Sequence, residues 1–494
     1  MFEALETGKF LSDKEFERRG APLRQQLLKT QFELAARDLP VIVVVAGVDG
    51  AGKGRLVHRL NVWMDPRGIE TNALWMHSDE EESRPYFWRF WRKLPPRGEI
   101  GVFLGSWYTR ALRTALDKQP DSEWRAHYLK QVNDFERMLI DDGYRIVKLW
   151  LHVGRETQRQ QLTEEAPQKQ QNPRVGADDK LWWKAYPKVL QVAQDIILQT
   201  DTGGAPWHLL EAEDRNYREV AAGEALLQAM RDHLQRPGVD RRSSGTVDPT
   251  PVPADARQPR VLDTVDCTAS LSKDKYRKKL NKYQARLQDL SWRAHRERRS
   301  FIAVFEGWDA AGKGSAIRRV TGAIDPRLYH LVQYAAPTDE ERAHHYLWRF
   351  WRNIERDGRA TLFDRSWYGR VLVERVEELA SPGEWQRAYN EINLFEEQLV
   401  EHGVVLAKFW IHITPEEQLR RFHEREQTPH KQYKITPEDW RNRDKWHDYE
   451  RAVEDMVAHT STRHAPWTLV AGNDKRHARI QILKTLCKAL DAAL

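Results

Sequence analysis

The stretch FIAVFEGWDAAGKG, Phe301–Gly314, decides the fold. Its first six residues form an apolar, partly β-branched run that reads as a buried strand. The remainder, Gly307–Gly314, fits G-x-x-x-x-G-K, the loop whose backbone N–H groups wrap phosphate oxygens while its lysine, Lys313, neutralises their charge. Gly307, Gly312 and Gly314 are the candidate turn and phosphate-binding glycines. VIVVVAGVDGAGKG, Val41–Gly54, repeats the arrangement, with Gly47 placed 260 residues before Gly307. One glycine-rich match is weak evidence. Two in the same strand context indicate a duplicated phosphotransfer domain.

Both loops depart from the usual pattern in the same way. The position after the lysine, commonly Ser or Thr on a magnesium ion, is Gly54 in one and Gly314 in the other. Each loop instead carries an internal aspartate, Asp49 or Asp309. A carboxylate there can take over the metal role of the lost hydroxyl or orient the attacking oxygen. The plainer reading, that the glycines merely turn a strand into a helix, leaves the lysine and the aspartate unexplained.

The same spacing of 260 residues relates further pairs: MDPRGIE at 64–70 and IDPRLYH at 324–330, WRFWR at 88–92 and 348–352, FLGSWYTR at 103–110 and FDRSWYGR at 363–370. It holds again for KLWLHV at 148–153 with KFWIHI at 408–413, and for APW at 205–207 with 465–467. Between the copies, Arg236–Arg260 is rich in proline, serine, glycine and charge and reads as an exposed linker. The sequence therefore predicts two domains, residues 1–235 and 261–494, each large enough for its own core.

Elements read in the second copy alternate as β–α–β–α–β–α–β–α. Strands are expected at Phe301–Glu306, Tyr329–Tyr334, Ala360–Phe363 and Val404–Ile413. Helices are expected at Lys313–Ala323, Glu340–Arg352, Glu384–Glu401 and Pro415–Glu426, with Ser381-Pro382-Gly383 marking a helix start. Alternation of this kind predicts an α/β fold: two tandem P-loop kinase-like domains, each a mainly parallel sheet flanked by helices, with the phosphate loop at the strands' carboxyl ends.

Composition narrows the class. No run approaches the ~18 apolar residues needed to span a membrane, and MFEALETGKF lacks the basic start and apolar stretch of a secretory leader. Two cysteines, Cys267 and Cys487, make no disulfide framework. The expectation is a cytoplasmic protein with no membrane partner. Its net charge of +6 is modest but directed towards anions.

A second carboxylate follows the loop. Asp364 ends the short apolar strand before Arg365, where a magnesium ion bridging phosphate oxygens is commonly anchored. Arg365 and Arg370 are candidates for carrying the charge of the transferring group. Arg318 and Arg319, one turn beyond the loop, extend a candidate anion track. Thr428–Trp446 carries Lys431, Lys434, Arg441, Arg443 and Lys445 with interleaved Tyr433, Trp440 and Trp446. Prolines at 429 and 437 suggest a segment that enters and leaves a helix, as a basic lid excluding water would. In the first copy the positions of Asp364 and Arg365 hold Leu104 and Gly105. Leucine cannot bind magnesium, so the first copy is expected to have lost catalysis while keeping its fold.

GWDAAGKG, FDRSWYGR, WRFWR, KQYK and RDKW–APW together resemble the family-2 polyphosphate kinases, and the tandem arrangement is similar to their fused two-domain branch. The resemblance covers nearly all of both repeats. It implies transfer of the terminal phosphate of inorganic polyphosphate to a nucleoside monophosphate, AMP to ADP, with Mg²⁺ and no covalent phosphoenzyme; the sequence leaves the base preference, AMP or GMP, open. It further implies that Asp309 orients or helps deprotonate the acceptor phosphate, Lys313 binds the transferred group and Asp364 holds Mg²⁺ with Arg365 beside it. Arg425, Lys431 and Lys434 would contact polyphosphate, and the C-terminal copy would be the working one. Asp309 and Asp364 are thus the candidate metal ligands.

Two other classes fit part of the evidence. An ATP-dependent nucleoside monophosphate kinase would share the loop and lid but would be expected to keep the Ser/Thr after the lysine. A nucleic-acid-binding P-loop ATPase would suit the basic, tryptophan-rich surface, yet the basic residues cluster beside the loop and no DNA or RNA motif occurs. No nucleic-acid partner is therefore expected. A homo-oligomer is among the assemblies the sequence allows. Trp308, inside the loop, is a candidate to pack on the acceptor or to pack in the scaffold, since its counterpart is Val48.

Overall fold

The computed structural model describes residues 1–74, 77–117, 121–161, 184–235, 260–429 and 435–494. Almost all of the linker read at 236–260 lies outside the described residues, as do Lys431 and Lys434 of the lid. The chain forms two units. One comprises Met1–His77, Arg89–Val239 and Asp339–His345; the other comprises Ser78–Trp88, Asp240–Thr338 and Tyr346–Leu494. The units thus depart from the repeat boundary at two short stretches. Within the second unit Arg84 Nε donates to Ile354 O at 2.9 Å and Asp357 N to Ser83 O at 2.9 Å. Within the first, Arg97 N donates to Ala343 O at 2.8 Å.

The first unit holds strands β1 (Val41–Gly47), β2 (Ile69–Ala73), β3 (Ile100–Leu104), β4 (Arg145–His152) and β5 (Trp207–Glu211), ordered β2-β3-β1-β4-β5. The second holds β6 (Phe301–Gly307), β7 (Tyr329–Gln333), β8 (Ala360–Asp364), β9 (Val405–His412) and β10 (Trp467–Ala471), ordered β10-β9-β6-β8-β7. Every pairing is parallel. The central strand β6 is buried along Phe301–Glu306, as a parallel strand covered by helices on both faces should be. Its neighbours on either side, β8 and β9, come later in the chain, so the strand order reverses at its carboxyl end and opens a crevice there.

The predicted α/β class and strand positions hold, with three differences. The expected helix Glu340–Arg352 is two short helices, Asp339–Arg342 and Trp348–Trp351. The first repeat is broken at the same place, into Asp79–Glu82 and Trp88–Trp91. A fifth strand, β10, and the closing helix Lys475–Ala493 complete the sheet beyond the elements expected. A long helix, Lys273–Arg296, precedes β6. The helix start at Ser381 is as expected: a capping box links Ser381 and Glu384, and Pro382 takes the first turn.

The core carries a polar network that is the same in both units. Lys408 Nζ, on β9, donates to Glu396 Oε2 at 2.7 Å, to Tyr368 OH at 2.8 Å and to Thr460 O at 2.8 Å. Lys148 binds Glu136, Tyr108 and Thr200 in the same way. Burial alone would push Lys408 down and Glu396 up towards their neutral forms, and their mutual attraction opposes this. Its presence in both units marks the network as structural. The tryptophans of the second WRFWR are likewise scaffold: Trp348 and Trp351 are buried, and Trp351 meets Phe395 edge-on at 4.8 Å.

Candidate active site

The phosphate loop leaves β6 at Gly307, whose φ of 149° and close approach to β9 exclude a side chain; a Cβ there would lie 2.5 Å from Ile411 O. Gly307 therefore shapes the loop and is not among the residues lining the cavity above it. The helix Lys313–Thr321 starts directly after Gly312, so its free N–H groups and dipole face the crevice. Lys313 Nζ rests on Gly307 O at 2.6 Å and Trp308 O at 3.3 Å, spanning the loop it serves.

An open cavity of about 660 Å³ lies over this loop. From the loop and its helix it is lined by Asp309, Gly312, Lys313, Gly314 and Arg318; from the end of β8 by Asp364 and Arg365; from the helix Pro415–Gln427 by Arg421 and Arg425. Parallel pairing of β6 with β8, with Phe305 opposite Asp364, brings the second carboxylate to the loop. The structure thus gathers most of the predicted site in one unit. It leaves two arginines out. Arg319 Nε donates to Tyr276 OH at 3.2 Å, and Arg370 pairs with Glu374 at 3.2 Å while lying 4.6 Å over the Tyr346 ring. Neither lines the cavity, because both leave their helical turns on the side facing scaffold.

Trp308 lines the cavity while being held in the scaffold. It is buried, stacks on Trp446 with centroids 3.7 Å apart, and donates from Nε1 to His412 Nδ1 at 3.1 Å. The described part of the lid segment forms the helix Pro437–Asp444, where Trp440 packs on Phe422. Its basic residues bind within the protein, whereas Glu438 and Asp439 line the cavity. Arg441 and Lys445 meet Glu377 at 3.2 and 3.0 Å, and Arg443 donates to Pro415 O at 2.8 Å.

Several site residues carry no motif. Glu306, the last side chain of β6 before the loop, is buried and accepts from Ser366 Oγ at 2.8 Å. Burial pushes its carboxyl above the usual glutamate range, while Lys313, the Ser366 bond and Arg365 pull the other way. Asn442 reaches back from the lid helix to Asp309. Lys475 and Arg479, on the closing helix, also line the cavity, and Arg479 Nε donates to Ser315 Oγ at 3.4 Å. Comparing the repeats position by position would have drawn out Glu306 and Arg479, whose counterparts are Ala46 and Glu219.

The first unit keeps the loop but not this site. Where β8 ends in Asp364 and Arg365, β3 ends in buried Leu104 followed by Gly105. Lys53 pairs with Asp49 at 3.1 Å inside its own loop. Glu219 is committed to Arg59 and Arg215 at 2.5 and 3.1 Å. The backbone differs in cost too. Arg365 and Ala310 hold left-handed conformations, φ 66° and 61°, which their counterparts Gly105 and Gly50 adopt freely. Strain of about 1–2 kcal/mol per residue sits at the phosphate side of the second unit only, a pattern associated with functional sites.

Two carboxylates beside a phosphate-binding loop suit Mg²⁺, which is held by one or two carboxylates together with substrate phosphates. Asp309 and Asp364 are the residues that would hold it. When bound, the ion would neutralise and align phosphate oxygens.

A glycine loop with its lysine at the reversal point of a parallel sheet, two carboxylates and converging arginines define a P-loop kinase-like phosphotransferase fold. Comparison with known proteins narrows this further: the chain belongs to the polyphosphate kinase 2 family, whose sequence profile matches residues 10–237 and 270–494. It is 44% identical over 494 residues to a polyphosphate:AMP phosphotransferase of Pseudomonas aeruginosa, covering 100% of this chain and 99% of that one. A protein of the same description from Acinetobacter johnsonii is 36% identical over 468 residues, covering 94% of each. A solved Pseudomonas aeruginosa structure, given as polyphosphate kinase 2, superposes with a TM-score of 0.87 at 45% identity, covering 100% of this chain and 99% of that one.

Proposed function

We propose that the chain transfers the terminal phosphate of inorganic polyphosphate to a nucleoside monophosphate, AMP to ADP, and that the second repeat, residues 261–494, carries the reaction. The carrying observation is that Asp309, Lys313, Asp364 and Arg365 line one cavity in the second unit, while the first has leucine and glycine at the last two positions. Full-length similarity to polyphosphate:AMP phosphotransferases supports the choice of donor and acceptor.

Phosphoryl transfer passes through a loose transition state, so the protein's work is positioning and charge neutralisation. The loop amides and Lys313 hold the transferring group. Asp309 faces the acceptor phosphate and orients its attacking oxygen, taking the proton where that oxygen carries one. Arg365 and Arg425 balance charge spreading over the equatorial oxygens. Arg318, Lys475 and Arg479 extend the positive surface along which a polyanionic chain would lie. Asp309 and Asp364 would hold Mg²⁺. The first repeat serves as a scaffold or regulatory domain. Among the described residues no helix is long and apolar enough to cross a membrane, and the cytoplasm, where nucleoside monophosphates arise, is the proposed compartment.

The test is incubation of the full chain with AMP or GMP, Mg²⁺ and either long-chain polyphosphate or ATP, with nucleotides separated by chromatography. ADP formed from polyphosphate supports the reading, with a KM for polyphosphate that rises with salt as counterion release requires. Diphosphate formed with ATP alone would overturn it.

A further inference from the structure

Two arginines on non-equivalent helices hold equivalent backbone carbonyls. In the second unit Arg421, on the helix Pro415–Gln427, donates from Nη1 to Ala310 O at 2.9 Å and Ala311 O at 2.8 Å. Its Nη2 donates to Gly472 O at 2.7 Å and Asn473 O at 2.9 Å. The guanidinium therefore ties the phosphate loop to the chain just beyond β10. It is buried, and Glu417 Oε1 accepts from its Nε at 2.6 Å, which fixes the fork. In the first unit the position of Arg421 is Gln161. There Arg218, on the helix Arg215–Gln235, donates from Nη1 to Ala51 O at 3.3 Å and Ala212 O at 3.2 Å. Ala51 and Ala212 are the counterparts of Ala311 and Gly472, and the position of Arg218 is Ala478 in the second repeat. The guanidinium has changed helix but not its carbonyls.

We propose that Arg421 is a positioning residue for phosphoryl transfer, a guanidinium strut that ties the phosphate loop to the chain beyond β10, and that Arg218 is the same strut supplied from another helix. Fixing Ala311 O fixes the direction of the Gly312 N–H in the same peptide, and fixing Ala310 O holds the turn in which Ala311 N donates to Trp308 O at 3.0 Å. The strut bears hardest in the second unit. There the loop carries Ala310 in a left-handed conformation, and Arg421 binds the carbonyl of that very residue. The first unit has Gly50 at this position, bears no such strain, and its arginine reaches only the next carbonyl. A merely electrostatic arginine would not need to meet the same two backbone oxygens from two directions.

The role of Arg421 in turnover rests on the function proposed above; the strut itself does not. The test compares the full chain with Arg421→Gln, which copies the first repeat, with Arg421→Gln/Ala478→Arg, which moves the strut to the first repeat's helix, and with Arg421→Lys. Two quantities are read: kcat and KM for AMP with polyphosphate, and amide hydrogen exchange across Gly307–Lys313. Arg421→Gln should lower kcat on the order of 100-fold, since a loop displaced by about 1 Å misplaces the reacting phosphate, with a much smaller change in KM for AMP. Exchange across the loop should quicken. The double variant should recover both kcat and slow exchange. Arg421→Lys should not, because one ammonium cannot bridge both ends. Unchanged exchange in Arg421→Gln, full recovery by lysine, or a folded double variant as impaired as Arg421→Gln would overturn the proposal. If the double variant does not fold, the glutamine and lysine variants decide it. Wild-type chain that makes no ADP from polyphosphate would sink the proposed function, while the exchange measurements would still judge the strut.

Discussion

Asn442 donates from Nδ2 to Oδ2 of Asp309 at 2.9 Å, joining the lid helix to the phosphate loop. The bond continues outward: Tyr449 OH lies 3.3 Å from Asn442 Oδ1 and 3.5 Å from Glu377, which in turn holds Arg441 and Lys445 of the lid segment. In the first repeat the loop aspartate is paired with its own lysine instead. Asp309 in the second repeat is thereby parted from Lys313 and set towards the cavity.

Removing that bond should loosen Asp309 without unfolding the domain. Asn442→Ala is expected to lower kcat about tenfold, the equivalent of losing ~1.4 kcal/mol from one hydrogen bond to a charged group. Far-ultraviolet circular dichroism should be unchanged. Steady-state kinetics with saturating polyphosphate measure the effect, and an unaltered kcat would show that the bond does not set Asp309.

Arg365 is held in a conformation that glycine adopts freely, and its counterpart is glycine. Arg365→Gly should therefore leave the unfolding free energy unchanged or raise it by about 1 kcal/mol, since relief of left-handed strain offsets the added chain entropy. Turnover should fall on the order of 100-fold with loss of a charge facing the transferring group. Chemical denaturation and kinetics on one preparation test both halves. A clear loss of stability would mean that the arginine serves the fold rather than the phosphate.

Much of this was legible in the sequence, for a physical reason. A phosphate loop, a strand-end aspartate and a capping box are local devices whose residue types are dictated by what they bind, so Lys313, Asp309, Asp364 and Ser381 announce themselves. Loss of the site in the first repeat was legible for the same reason, at Leu104. What escaped reading was set by tertiary packing. The strut moves between Arg421 and Arg218, which share no position in the repeat. The stack of Trp308 on Trp446 joins residues far apart in the chain. Arg319 and Arg370 lie beside the right motifs but leave their turns on the scaffold side. Glu306 ended an apolar strand and passed as its last residue, although it is a buried carboxyl one position before the loop.

Glu306 should leave a mark on the pH dependence of stability. Its folded-state pKa is raised by burial, so the folded protein binds its proton more tightly than the unfolded chain does. The stability attached to that proton is full below the ordinary glutamate range and declines as pH rises through that range towards the raised folded value. Glu306→Gln removes this loss. Relative to wild type the variant should therefore gain stability as pH rises, measured by denaturant unfolding at acid and neutral pH. A stability difference that does not vary with pH would contradict the assignment.

The most direct test of the central claim is ADP formation from AMP, polyphosphate and Mg²⁺ by three proteins: wild type, Asp364→Asn and Lys53→Ala. Transfer by the second repeat predicts strong activity in wild type, loss of at least about a hundredfold in Asp364→Asn, and most of the activity kept in Lys53→Ala. Activity retained in Asp364→Asn and lost in Lys53→Ala would contradict the account and move the reaction to the first repeat.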